Sequence, residues 1–286
     1  MAAWQHLLAW LEGDRLHLGH AMAKGGRMAF KELGQAVPLG LGDPRLLERP
    51  IFVEKGTYPM LVAGSDEGSP VLLSVNPRPQ HADGPEVRRF RLGGALFDTV
   101  LVRWVRRHGV PEVRAQVVWT ERPRSGTDLY AKTIDPFGED TDEAPRLLLH
   151  SEPAVLAVVL EAWAAEPEGV VDVLTGTLDG SLTLHRIPLT DQGEPVTWAI
   201  PEPVLAEGES ASAWALTAEP LDELPVAVAV GSRVMVYRAG SGGEWTTIAE
   251  GESEVAHLSL HALGGHPWAV WFEASAGIRY QSLGDR

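Results

Sequence analysis

Apolar runs of alternating polarity, glycine-bearing turns between them and a near-constant repeat interval predict an all-β chain, a β-propeller of six blades with three to four antiparallel strands each. The third strands of the repeats are anchored at Leu16, Val71, Leu129, Leu182, Val234 and Ile278, so the intervals are 55, 58, 53, 52 and 44 residues. A sheet of that size cannot bury both faces alone, and stacking of blades around an axis completes one core. Residues 1–286 are therefore expected to form one domain.

Taken in order, the first repeat reads as strands at Trp4–Glu12 and Arg15–His20 with an outer strand at Ala29–Leu33. The second reads as Pro50–Gly56, Tyr58–Gly68 and Ser69–Val75, with Glu86–Leu92 outermost. The third takes Thr99–Val105, Glu112–Glu121 and Thr127–Ile134. The fourth has apolar runs at Ala154–Trp163 and Val170–Gly176, then an alternating strand to Ile187. There Asp179-Gly180 is the hairpin signal, because both residues tolerate the positive φ of a type I′ turn. The fifth takes Ala211–Thr217, Pro225–Gly231 and Arg233–Arg238, with Trp245–Ala249 outermost; the sixth takes Val255–Leu263, Pro267–Ala274 and Gly277–Leu283. Trp4, Leu7, Leu8 and Leu11, like Leu156, Val159, Leu160 and Trp163, also fit a helical period. Alignment with the other repeats favours strands for both.

Thr175-Gly-Thr-Leu-Asp-Gly-Ser-Leu-Thr-Leu-His-Arg-Ile187 is similar to the Gly-Ser-x-Asp-Gly…Leu-Trp-Asp stretch of WD40 repeats, and Thr127-Asp-Leu-Tyr-Ala-Lys-Thr-Ile-Asp135 resembles the strand of TolB-type propeller repeats. Both resemblances imply a propeller that holds other proteins.

Hydrophobic residues make up 44% and charged residues 22% of the chain, a balance that forms a packed core rather than a disordered coil. With no cysteine, disulfides, thiolate metal sites and thiol nucleophiles are excluded. The N-terminus has no basic segment and meets Glu12 and Asp14, so it does not read as a signal peptide. The apolar stretch Ala154–Ala165 is shorter than the roughly 20 residues a bilayer requires. A cytoplasmic protein with no membrane partner is expected.

Residues 1–150 hold 19 Lys and Arg against 19 Asp and Glu, whereas residues 151–286 hold 5 against 20, so the net charge of -15 lies in the second half. That excess repels phosphate backbones and argues against nucleic-acid binding. Arg outnumbers Lys by 20 to 4, and Ala, Leu, Gly and Pro are abundant, a composition consistent with a GC-rich bacterial genome.

No Walker A loop, nucleophile elbow, His-Glu-x-x-His or dinucleotide fingerprint is present. His257 and His261 share a strand face, with His266 nearby, but two imidazoles make a poor metal site without a third ligand. His17 and His20 fall on opposite faces. Asp98, Glu152, Glu209 and Glu254 are placed just before innermost strands, where a ring of channel carboxylates would hold Ca²⁺ or Mg²⁺ or supply an acid and a base. That pattern is the alternative reading, a metal-dependent hydrolase or lactonase; ordinary solvated loop acids are its competitor.

The sharper anomaly is basic. Arg88, Arg89, Arg91, Arg103, Arg106, Arg107, Arg114, Arg122 and Arg124 face only four acids between residues 86 and 124. Their planar forks suit an acidic protein surface or a phosphorylated segment, with pairing to the protein's own acids as the competing explanation. The leading expectation is thus a non-enzymatic scaffold in a larger bacterial assembly, without cofactor, with Arg88, Arg89, Arg91, Arg103, Arg106 and Arg107 meeting a partner. A further docking edge is expected where the first repeat lacks its first strand and the last lacks its outer one. Another chain, or a copy of this one, would add a strand at Gly277–Leu283 or beside Trp4–Glu12.

Overall fold

Valine, leucine and alanine dominate the central strands, and the period-two alternation gives way there to continuous apolar runs that need cover on both faces. The computed structural model describes residues 5–24, 27–32, 36–46, 52–53, 56–57, 60–67, 69–76, 86–92, 97–106, 113–123, 125–138, 144–160, 163–164, 169–177, 180–190, 193–217, 224–239, 243–263 and 266–284. The fold is all-β, and its six successive sheets are the six blades that the sequence predicts. Two compact units divide the chain, residues 1–124 with 128–147, and residues 125–127 with 148–286.

In the first unit, sheet I joins Gln5–Glu12, Arg15–Lys24 and Arg27–Glu32, and Val37–Pro38 pairs with the start of the second of these. Sheet II runs in the order Glu86–Arg91, Ser69–Asn76, Met60–Asp66, Gly42–Leu46. Sheet III contains the meander Phe97–Arg106, Val113–Glu121, Thr127–Ile134. Leu16, Leu39 and Leu41 bury themselves with Val62, Leu73 and Val75 between sheets I and II. Phe90, Leu72 and Leu61 meet Trp119, Val117 and Val102 between sheets II and III.

In the second unit, sheet IV is Ala154–Leu160, Val170–Gly176, Leu182–Pro188, Val196–Ile200. Sheet V is Ala211–Leu216, Leu224–Val230, Arg233–Ala239, Thr246–Glu250, and sheet VI is Val255–Leu263, His266–Glu273, Gly277–Ser282. Leu174 and Leu184 pack on Val226 and Tyr237 between sheets IV and V. Ala227, Val236, Leu260 and Trp271 fill the space between V and VI. Every pairing in these meanders is antiparallel, so hairpins rather than crossovers join the strands.

The two segments of ambiguous period are strands. Gln5–Glu12 pairs from Gln5↔Met22 to Glu12↔Arg15, and Ala154–Leu160 pairs with Val171–Gly176. Trp4 lies outside the described residues. Sheet II corrects one expectation: its first strand is Gly42–Leu46, while the run expected from Pro50 forms a separate two-stranded hairpin of Phe52–Val53 with Gly56–Thr57. Pro44 hid the true strand. It sits where the register shifts between Gly42 and Arg45, a bulge on an edge strand that tolerates proline.

In the fourth blade Gly176 pairs with Leu182, and Asp179 of the expected turn lies outside the described residues. Gly180 adopts a positive φ of 91°, and its amide donates to the Thr177 carbonyl. Two-residue turns occur at Gly13-Asp14, between Glu12 and Arg15, and at Gly231-Ser232, between Val230 and Arg233, with Gly13 at φ 60° and Gly231 at φ 56°.

Sheet IV carries an ion pair that the sequence did not announce. Asp172 and Arg186 stand directly opposite in the ladder and join through two hydrogen bonds of 2.9 Å each. Replacing Asp172 by Ala leaves a mostly covered guanidinium unpaired, and a loss of about 2–3 kcal/mol is expected in urea unfolding, below the full cost of breaking a wholly buried pair. On the same sheet, burial holds the His185 imidazole pKa below its ordinary 6.5. The unfolded chain then takes the proton first, so His185's contribution to stability is complete above about pH 6.5 and is lost as pH falls through the lowered folded value. The urea midpoint should therefore drop less between about pH 7.5 and about pH 5.5 in His185→Gln than in the parent.

Candidate functional site

Alternation along a strand places Trp271 and Glu273 on one face of sheet VI, and the ladder sets Arg279 directly opposite Trp271. That face looks toward the outer strand of sheet V. Between them lies a pocket of about 630 Å³, lined by Glu250, Glu252, Trp271, Glu273, Arg279 and Tyr280 among others.

Its floor is rigid for a chain of reasons that can be followed bond by bond. Glu273 is 3% exposed, and the Trp271 indole N–H donates to its Oε1 at 2.7 Å. Trp271 itself is held in the apolar contact between sheets V and VI. Gly251 lets the main chain pass over this carboxylate: a Cβ there would lie 2.6 Å from the Glu273 carboxyl carbon. The passing segment is pinned in turn, because the Gly251 amide donates to Ser232 O at 2.8 Å and the Val255 amide to Gly231 O at 2.9 Å. At the rim, Ser275 donates to Ser253 Oγ through its amide at 3.1 Å and its hydroxyl at 2.8 Å. These bonds tie the turn of sheet VI to the strand connection from sheet V.

The lining thus offers one immobilised carboxylate, two exposed ones at Glu250 and Glu252, an exposed guanidinium at Arg279, a carboxamide at Gln281 and the Trp271 ring, while the Tyr280 ring lies on the other face of its strand, 6.1 Å from Trp268 between centroids. Carboxylates accept strong hydrogen bonds from hydroxyls, the guanidinium donates along fixed directions, and aromatic faces take C–H surfaces. Such a set can hold a small polyhydroxylated molecule by many directed bonds.

The arginines expected to form a docking patch are placed individually by the first unit. Arg88 donates to Glu86 at 2.5 Å and to the Gly138 carbonyl at 2.9 Å, and Arg89 is paired with Asp66. Arg91 is exposed and Arg114 lies 3.8 Å from Asp135. Arg103 departs from the surface expectation, being 0% exposed at a point of its strand where both faces are covered, as buried Val102 beside it shows. The Arg106 side chain, Arg107 and Arg124 lie outside the described residues.

The four channel carboxylates are likewise distributed over separate sheets. Glu152, Glu209 and Glu254 do precede the first strands of sheets IV, V and VI, as expected. Asp98 does not: it falls within Phe97–Arg106, at the register shift between Phe97 and Val100. Glu209 is engaged locally, accepting from the Ala206 amide at 2.7 Å and pairing with Arg233. Among the described residues no group of three or more His, Asp or Glu is arranged to hold a metal ion, and His257, His261 and His266 form none. His261 instead contacts Ser259 Oγ at 3.0 Å.

The pocket residues escaped the sequence reading because they come from two strands, a turn and a neighbouring sheet. The one available signal was Trp-x-Glu at the end of a strand, which places an indole N–H and a carboxylate side by side. The same triplet occurs at Trp119 and Glu121, joined at 2.9 Å, and at Trp10 and Glu12, where the carboxylate is exposed and lies 3.3 Å from His17.

No protein-family model matches this chain, and no curated protein matches it. Solved structures do. The Aleuria aurantia lectin in complex with Fucalpha1-6GlcNAc is 12% identical, covers 93% of this chain and 90% of its own, and has a TM-score of 0.45. Another structure of that fungal lectin, described as a six-bladed β-propeller with a novel fucose recognition mode, is 11% identical over 98% of this chain and 94% of its own, at 0.44. A Trypanosoma rangeli sialidase is 12% identical, covers 87% of this chain and 45% of its own, and scores 0.34. With every TM-score below 0.5, these likenesses say nothing of what this chain binds.

The tight passage at Gly251 gives a direct check on the site's construction. Gly251→Ala sets a methyl group against the Glu273 carboxylate, which must swing toward the pocket and give up its bond from Trp271, and a loss of about 1 kcal/mol is expected in denaturant unfolding. Trp271 fluorescence should change with it, since the indole's partner is displaced.

Proposed function

We propose that this chain is a non-enzymatic recognition propeller that binds a carbohydrate in the pocket between sheets V and VI. The observation that carries the reading is the buried Glu273 carboxylate, fixed by the Trp271 indole on the same sheet face as Arg279. Sugars bring adjacent hydroxyls that donate to a carboxylate and accept from a guanidinium, and an apolar C–H face that packs on an aromatic ring. A volume of about 630 Å³ lies within the range of about 300–1,000 Å³ typical of small-molecule sites and takes one or two sugar rings. The A. aurantia lectin has a fucosylated sugar bound, but the proposal rests on this pocket's own residues.

The WD40-like and TolB-like repeat assignments belong to the same proposal, since both are repeat types of propellers that hold a partner rather than transform it. The protein-holding role and the arginine patch stay proposals of equal standing for the first unit, with exposed Arg91 as the residue to examine first.

A glycan array followed by calorimetry on the best monosaccharides tests the pocket. Arg279→Ala and Glu273→Gln should each weaken binding about tenfold, the loss of one charge-assisted hydrogen bond. Arg279 is exposed, so its variant should keep the parent's melting temperature. The proposal fails if no glycan binds, or if binding survives both changes intact. Turnover of a bound glycoside would replace binding by hydrolysis.

A further inference from the structure

Sheets IV and V end in outer strands, Val196–Ile200 and Thr246–Glu250, laid against their third strands. Sheet VI has three strands, and among the described residues its third strand, Gly277–Ser282, pairs only with His266–Glu273. The free edge is also the place where apolar side chains meet water: Ile278 is 72% exposed and Tyr280 71%. Alternation puts both on one face, and Phe272, opposite Ile278 in the ladder, extends that face at 39% exposure. Protein chains ordinarily blunt such an edge with charges, proline or a cover, and the strand Gly-Ile-Arg-Tyr-Gln-Ser holds one charge and no proline.

We infer that this edge takes an extended basic peptide segment, with apolar residues at alternate positions, as the fourth strand of sheet VI. Backbone pairing supplies the ladder bonds, and alternate side chains supply selectivity. The outer strands of sheets IV and V are five residues each, which sets the length of the guest. Guest residues on the Ile278–Tyr280 face are apolar, because they complete a row already lacking water-compatible side chains. The residue beside Arg279, on the pocket face, is uncharged, while the flanks are basic. They enter the field of residues 151–286, which carry 5 Lys and Arg against 20 Asp and Glu, with Glu250 and Glu252 exposed close by. That field decides against pairing with the same edge of a second copy, which would bring the same excess of acid to the contact. The inference does not depend on what the pocket binds.

The test uses the full chain and a labelled nonapeptide, Lys-Lys-Val-Thr-Val-Thr-Val-Lys-Lys, read by fluorescence anisotropy and by hydrogen exchange. Amides of residues 277–282 should gain protection on binding. Replacing the four lysines by glutamate should weaken binding at least about tenfold. Peptide N-methylated on all three valines blocks one edge of the guest strand, and peptide methylated on both threonines blocks the other. One of the two versions should lose at least about tenfold in affinity, because a strand without its N–H row cannot complete the ladder. The double variant Ile278→Lys with Tyr280→Lys, at an unchanged melting temperature, should bind at least about tenfold more weakly. Equal binding of both methylated peptides, equal binding of the glutamate peptide, or protection gained only outside 277–282 would each overturn the inference. So would self-association that protects these amides before any peptide is added, since the edge would then belong to a second copy.

Discussion

Everything in this fold depends on central strands that are apolar on both faces. Ser69–Asn76, Val170–Gly176 and Leu224–Val230 are buried along nearly their whole length, so each must be covered from two sides at once. A lone antiparallel sheet with one wet face would leave half of these side chains in water. Face-to-face stacking is the solution seen in each unit, I on II on III and IV on V on VI. Polar chemistry is thereby driven to strand ends, turns and outer strands, which is where the pocket lies.

Whereas buried Ser74 reaches a distant partner, donating to the Pro136 carbonyl at 2.7 Å, several polar groups that remain inside are held by short local rules. Asp172 and Arg186 face each other across one rung, and Trp271 reaches Glu273 two residues along its own strand. Thr175 likewise meets His185 at 3.0 Å across neighbouring rungs. In each case the period of the strand brings donor and acceptor together without any loop having to be shaped for the purpose, and burial then strengthens the bond. The burial that disfavours a charged imidazole at His185 is the same effect acting on a group with no opposite charge beside it.

The strands were legible because period and turn chemistry are local. Leu224–Val230 and Arg233–Ala239 around Gly231-Ser232 follow from seven apolar positions and one glycine able to take positive φ. Gly42–Leu46 was not legible, because its proline is permitted only by a bulge that the ladder itself creates. Arg103 shows the same limit from the opposite side. Arginine in an Arg-rich stretch reads as surface, but its position on a central strand, opposite Gln116, fixes it as interior. The pocket was invisible for a third reason. Glu250, Glu252, Glu273 and Arg279 acquire meaning only when sheet V is laid on sheet VI, and no spacing along the chain encodes that contact.

Two of the three Trp-x-Glu triplets, those of sheets III and VI, separate what a local motif contributes from what its surroundings add. In both, an indole N–H fixes a carboxylate at the end of a second strand, at 2.9 Å in sheet III and 2.7 Å in sheet VI. What differs is the residue across the rung. Opposite Trp119 stands Tyr130, whose ring stacks on the indole with centroids 5.8 Å apart, and whose hydroxyl pKa is raised by burial and by nearby Asp128. An aromatic pair of that geometry closes over the tryptophan and completes a packed surface. Opposite Trp271 stands Arg279, which is exposed and leaves the carboxylate flanked by a cation and open space rather than covered by a ring. The triplet therefore fixes a carboxylate at the strand end in both sheets, and the rung partner separates the two, a ring that packs on the indole in sheet III and a cation that faces the pocket in sheet VI.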